Sequence, residues 1–199
     1  MHWMIEEVDN QAGLESALKF SSRVCISMYR LDDKACEYLS RDYGIAKIVW
    51  VAKPSLNVFA AIVNAHRSFL ALALVGFPDV FDENTLDIIT SAHPAIESFF
   101  FVDERNVASF FPTSLKNFLN LKQLGLLNCG VSDAGAQAIA QNLSALTSLN
   151  LSGNSIGEAG AQAIAQKLSA LTSLDLSGNS IGEAGAQAIA QKLSALTSL

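Results

Sequence analysis

Cysteine, histidine and paired acids are the side chains from which this 199-residue sequence could build a reactive centre. Cys25 or Cys36 set beside His66 or His93 would give a thiol nucleophile and its base. Such a pair also needs an orienting acid and donors for an oxyanion, and no residue pattern supplies them. The cysteines, Cys25, Cys36 and Cys129, are odd in number and form no CxxC pair, so they fit neither a disulfide framework nor a zinc site. They read as reduced thiols that pack as small hydrophobes. The acidic pairs Asp32–Asp33 and Asp82–Glu83 fall at predicted helix starts, where a carboxylate favours the helix dipole. LSGNSIG has glycines but lacks the lysine of a phosphate-binding loop. The expectation is a protein with no catalytic residue, no cofactor and no metal.

Composition narrows the partners. The formal net charge is −6, and 13 Lys and Arg form no run, so a nucleic-acid footprint is missing. The longest apolar stretch, Phe69 to Phe77, is far short of the roughly 20 residues of a membrane helix. MHWMIEEVDN carries acid where a signal peptide carries base. These features predict a cytoplasmic protein, or one delivered into a host cytoplasm without a classical signal peptide. Half the residues are hydrophobic and 16% are charged, which favours a packed core over disorder.

An internal repeat decides the architecture. Leu146 to Ala170 returns as Leu171 to Ala195 with 24 of 25 positions identical, the one change being Asn150 to Asp175, and Leu121 to Ala145 matches the same template at 14 of 25. In LTSLNLS, leucines alternate with polar residues, which predicts a short strand with one buried face. In EAGAQAIAQKLSA, Ala161, Ile164, Ala165 and Leu168 have helical spacing. SGNSIG between them supplies the turn, with Gly153 and Gly157 available for backbone angles other residues avoid. A single unit cannot bury its apolar face, so units must stack with strands in a parallel sheet and helices outside. Strands lie about 4.8 Å apart and packed helices 8 to 10 Å, so the stack curves with the sheet on the concave side. Ala159, Gly160, Ala161, Ala163 and Ala165 are small enough for close helix packing.

The pattern LxxLxLxxNxI in LTSLNLSGNSI, followed by a GAQAIA helix, resembles the leucine-rich-repeat superfamily, and in particular its ribonuclease-inhibitor-like branch. The alanine-rich helix is also similar to GALA-type repeats of bacterial effectors. The resemblance implies an α/β solenoid of curved, right-handed βα repeats, here about seven units. It places Asn154 and Asn179 in an asparagine ladder that satisfies turn backbone groups, with Cys129 at the equivalent position.

Stepping back by about 25 residues extends the skeleton toward the N-terminus. Ile96, Phe99 and Phe101 stand where Leu146, Leu149 and Leu151 stand later, preceded by Phe69, Leu72 and Leu74, then Ile45, Ile48 and Trp50, then Val24 and Ile26. Helices are predicted at Asp32 to Arg41, Leu56 to His66, Glu83 to Ala92 and Ser114 to Asn120, capped by Asp32 or Asp33, Ser55, Asp82 and Thr113. The division is a helical cap in 1–20, degenerate repeats in 21–120 and regular repeats in 121–199. Tyr29, Lys53, Phe77 and Glu104 hold the ladder position in the early units, a departure that keeps open a separate α/β domain in 1–115. The sequence stops at Leu199 in the first strand residues of another unit, which suggests a longer natural chain or self-association through an uncapped end.

The concave face carries the functional expectation. Residues flanking the buried leucines are Ser148, Asn150, Ser152, Ser173, Asp175 and Ser177 in the regular units. In the degenerate ones Val49, Val51, Ala71, Ala73, Val75, Phe100, Val102 and Leu127 form an apolar strip edged by Arg23 and Lys47. Exposed, the strip is an interaction site led by Phe100; covered by another segment, it is core. The expected function is a module that binds a partner protein, with contacts from Val49, Val51, Ala73, Val75, Phe100, Val102, Leu127, Asn150 and Asp175. The alternatives are a self-assembling structural repeat and an enzymatic N-terminal domain with a repeat tail.

Overall fold

A computed structural model of the chain describes residues 24–27, 47–51, 71–75, 83–92, 94–103 and 114–198. The expected cap in 1–20, the helices at Asp32 to Arg41 and Leu56 to His66, and Cys36, His66, His93 and Glu104 lie outside them.

Strands β1 (Val24–Ser27), β2 (Lys47–Val51), β3 (Ala71–Val75), β4 (Ser98–Val102), β5 (Gln123–Leu127), β6 (Ser148–Asn150) and β7 (Ser173–Asp175) form one parallel sheet in chain order. Helices α1 (Glu83–Ala92), α2 (Asp133–Asn142), α3 (Glu158–Lys167) and α4 (Gly182–Lys192) are the described crossover helices. The register aligns Val24, Ile48, Leu72, Phe99, Leu124, Leu149 and Leu174 across the sheet, the alignment that the apolar spacing predicts. The helix expected at Glu83 to Ala92 is present with those bounds.

Among the described residues the core lies between sheet and helices, because β4 to β7 turn leucine and phenylalanine side chains inward to meet apolar helix stripes. Phe99, Phe101, Leu124, Leu126, Leu149, Leu151 and Leu174 are buried in one cluster with Leu86, Ile89, Ile139, Ile164 and Ile189. Phe99 and Phe101 meet edge to face with ring centroids 5.0 Å apart, and Phe118 closes on Phe99 at 5.1 Å. Burying each such side chain contributes about 1.5–3 kcal/mol.

Three local expectations are corrected. Between Ser114 and Asn120 the chain makes a short 3-10 turn, Leu115–Asn117, instead of an α-helix. Leu115 and Phe118 are both buried. Their i, i+3 spacing fits the tighter turn, closed by the Phe118 N–H on the Leu115 carbonyl at 3.1 Å. Gly153 takes the left-handed angle, φ +69°, but Gly157 is extended at φ −98° and needs no glycine for its backbone. Gly160, Ala161 and Ala165 are buried as close-packing residues, whereas Ala159 is exposed.

Candidate binding face

The asparagine ladder fixes the turns that join strands to helices. The Asn154 Oδ1 accepts the N–H groups of Cys129 at 3.0 Å and Val131 at 2.9 Å, while its Nδ2 donates to the carbonyls of Leu126 at 2.6 Å and Leu151 at 2.8 Å. Asn179 repeats this one unit later, accepting from Ile156 N–H at 3.0 Å and donating to Leu151 and Leu176. At the equivalent position Cys129 donates its thiol to the Leu127 carbonyl at 3.2 Å, buried among the turns. Among the described residues, the one before each ladder position turns in the left-handed region: Asp103 at φ 61°, Asn128 at 53°, Gly153 at 69° and Gly178 at 67°. Asp103 shows that the 25-residue register already holds one unit before the regular repeats.

With turns and register fixed, the residues of β4 to β7 that alternate with the core point to the side of the sheet away from the described helices. The burial pattern in β4 is partial, buried, partial, buried, partial, which leaves Ser98, Phe100 and Val102 half-buried beside the inward Phe99 and Phe101. Leu127, Asn150 and Asp175 are half-buried in the same way. Phe100, Gly125, Asn150 and Asp175 form one row across β4 to β7, and Val102 and Leu127 are paired in the next. Cys25, Val49 and Ala73 hold the register positions that continue the first row, and Val51 and Val75 the second.

Phe100 owes its position to Gly125. A Cβ on Gly125 would collide with the Phe100 ring, with Cε1 at 2.8 Å, and would press on a Leu127 methyl at 3.1 Å. Lacking that Cβ, the residue lets the ring lie across β5 next to Leu127, so aromatic and aliphatic surface is continuous over two strands. Gly125 was not singled out by sequence reasoning. The signal was the glycine between Leu124 and Leu126 where the next units have Asn150 and Asp175.

Beyond Gly125 the row turns polar. The Asn150 Nδ2 donates to the Asp175 Oδ2 at 3.1 Å, and each side chain also accepts a turn N–H, Ser152 on Asn150 and Ser177 on Asp175, both at 2.9 Å. The single difference between two otherwise identical units is thus a donor facing an acceptor. Among the described residues no group of three His, Cys, Asp or Glu is placed to hold a metal ion, and no helix is long and apolar enough to cross a membrane.

A leucine-rich-repeat family model matches residues 143–165 and 167–190. The search of curated proteins gives no match. Among solved structures, a Bacteroides fragilis protein shares 11% identity over 92% of this chain and 68% of its own, with TM-score 0.60. The leiomodin-1 actin-binding site 2 shares 27% identity over 61% of this chain and 77% of its own, with TM-score 0.46. A Listeria monocytogenes internalin shares 15% over 96% and 70%, with TM-score 0.48. The repeat match gives the chain leucine-rich repeats over residues 143–165 and 167–190. Its parallel sheet, flanking helices and matched repeats give it the fold of the leucine-rich-repeat superfamily.

Proposed function

We propose that the chain is a protein-interaction module that holds a partner protein on its concave sheet face. The observation that carries this reading is the joined surface of Phe100, Val102 and Leu127, half-exposed on a face that no described helix covers. Partly exposed apolar surface gains free energy when a partner removes it from water, and an aromatic ring is a favoured anchor. Val49, Val51, Ala73 and Val75 extend the strip by register, and Asn150 and Asp175 supply its polar border.

The finer identity follows the same logic. Strands in register from β1 to β7 support about seven units, and Cys129 alternating with Asn154 in the ladder supports the ribonuclease-inhibitor-like branch. The GAQAIA helices support kinship with bacterial effectors.

The test is to capture binding proteins on the immobilised chain, identify them, and compare Kd for the purified partner with the parent, Phe100→Asp and Gln162→Glu. Gln162 belongs to α3, on the opposite side of the core from the strip. Phe100→Asp is expected to weaken binding by more than about tenfold, as for an anchor residue, with Gln162→Glu unchanged. Equal binding by all three would overturn the reading. Light-scattering mass against concentration separates self-association, which would persist in both variants if it used another surface.

A further inference from the structure

Resting on that docking reading, we infer that the occupant is an extended peptide segment carrying an apolar side chain and, about four residues away, a lysine or arginine. The face is chemically polarised along a single row. One end is the Phe100 ring laid across Gly125 and flanked by Leu127; the other is Asp175. Among the outward-facing strand residues of β4 to β7, Ser98, Phe100, Val102, Gln123, Gly125, Leu127, Ser148, Asn150, Ser173 and Asp175, that carboxylate is the one formal charge.

Both oxygens of Asp175 already accept hydrogen bonds, Oδ1 from Ser177 N–H and Oδ2 from the Asn150 amide. Both donors are neutral, so they hold the carboxylate in place without cancelling its charge. A carboxylate retains further lone pairs in this arrangement, and among the described residues no cationic side chain pairs with it. Asn150 also keeps a second carboxylate off the adjacent strand, so the negative charge stays at one point of the row.

Spacing sets the length of the ligand. Phe100 and Asp175 are three strand steps apart, roughly 14 Å at about 4.8 Å per step. An extended chain rises about 3.4 Å per residue, so four residues span it. Gly125 is itself buried under the Phe100 ring, so a backbone crossing the strands passes over the ring and then the Asn150 amide.

The test is selection of random dodecapeptides displayed on phage against the purified full chain at low ionic strength. The expected peptides carry an aliphatic or aromatic residue and a Lys or Arg four positions away, in either order. Synthetic copies should bind about threefold more weakly to Asp175→Asn and at least about tenfold more weakly to Phe100→Ala. The Asp175 effect should vanish in 1 M salt, where charges act over only about 3 Å. Asp175→Asn keeps an acceptor for Ser177, and an unchanged Tm shows that it is folded. Peptides without a basic residue, or with affinity indifferent to Asp175→Asn, overturn the inference, while binding that still depends on Phe100 leaves the docking reading standing. Selection of no peptide also overturns it, and the docking reading then stands or falls on its captured protein.

Discussion

The Asp133 carboxylate caps a helix that belongs to the next repeat: its Oδ1 accepts the N–H of Gly157 at 2.7 Å and of Gly160 at 2.9 Å. Gly157 is the N-cap residue of α3 and has no side chain with which to cap itself. One repeat later, Glu158 holds the position of Asp133 and Gly182 that of Gly157, but Gly182 turns at φ +65° with the Glu158 Oε2 3.9 Å from where a Cβ would stand. Two units of nearly identical sequence therefore start their helices differently. The neighbour supplies the cap, and one extra methylene places the carboxylate differently.

The Asp133 cap should be measurable as stability. Asp133→Ala is expected to cost about 0.5–2 kcal/mol in urea unfolding, the range for losing an N-cap acceptor. Glu158→Asp is expected to raise stability by up to about 1 kcal/mol, because it installs the same acceptor before α4. A loss of stability in Glu158→Asp would show that the Gly182 turn has a different cause.

Gly125→Ala drives a methyl group into the Phe100 ring. The ring must leave β5 or the strands must part, and overpacking of this kind costs about 1–3 kcal/mol. A double-mutant cycle checks the cause: Gly125→Ala should be nearly neutral in a Phe100→Ala background, since the colliding atoms are gone. A cost that persists there would place the strain at Leu127 instead.

These relationships explain which parts of the molecule were legible in its sequence. Inward strand positions could be read as far back as IESFFFV because burial demands apolar side chains at period two, and Phe99 and Phe101 are buried as that spacing predicts. Asn154 could be read from the resemblance to leucine-rich repeats, and its bonds show why that position takes an amide, which offers both donors and an acceptor to buried turn groups. The 3-10 turn at Leu115–Asn117 could not, since LKNFLN has the apolar spacing of either turn type and packing against Phe99 selects between them. Nor could the Asp133 cap or the seat for Phe100. Both depend on residues 24 to 27 positions apart that only the stacking of units brings together.

Asn154→Ala strips partners from two buried N–H groups, those of Cys129 and Val131, and from the Leu126 carbonyl, while the Leu151 carbonyl keeps the Asn179 amide. Each buried group left unsatisfied costs about 1–3 kcal/mol, so the loss should exceed about 3 kcal/mol. Asn179→Ala should cost less, because Asn179 is only half-buried and water can replace part of its bonding. Chemical unfolding of the two variants orders them, and an equal cost would contradict the burial argument. Unmasking of the buried Cys129 thiol to a disulfide reagent should follow the same order as the unfolding equilibria.

Asn150→Asp makes the two regular units identical at their one point of difference and sets two carboxylates in register on neighbouring strands. The Asn150 amide now donates to Asp175 at 3.1 Å, and the substitution turns that attraction into like-charge repulsion. Directly opposed like charges in a sheet cost about 0.2–1 kcal/mol, on top of the lost hydrogen bond. The penalty should shrink in high salt, which screens the repulsion but cannot restore the missing donor. Adding Asp175→Asn to Asn150→Asp reverses the donor and acceptor and should recover most of the stability. If the double variant stays as unstable as the single one, the order of the pair matters through the Ser152 and Ser177 turns that each side chain also holds.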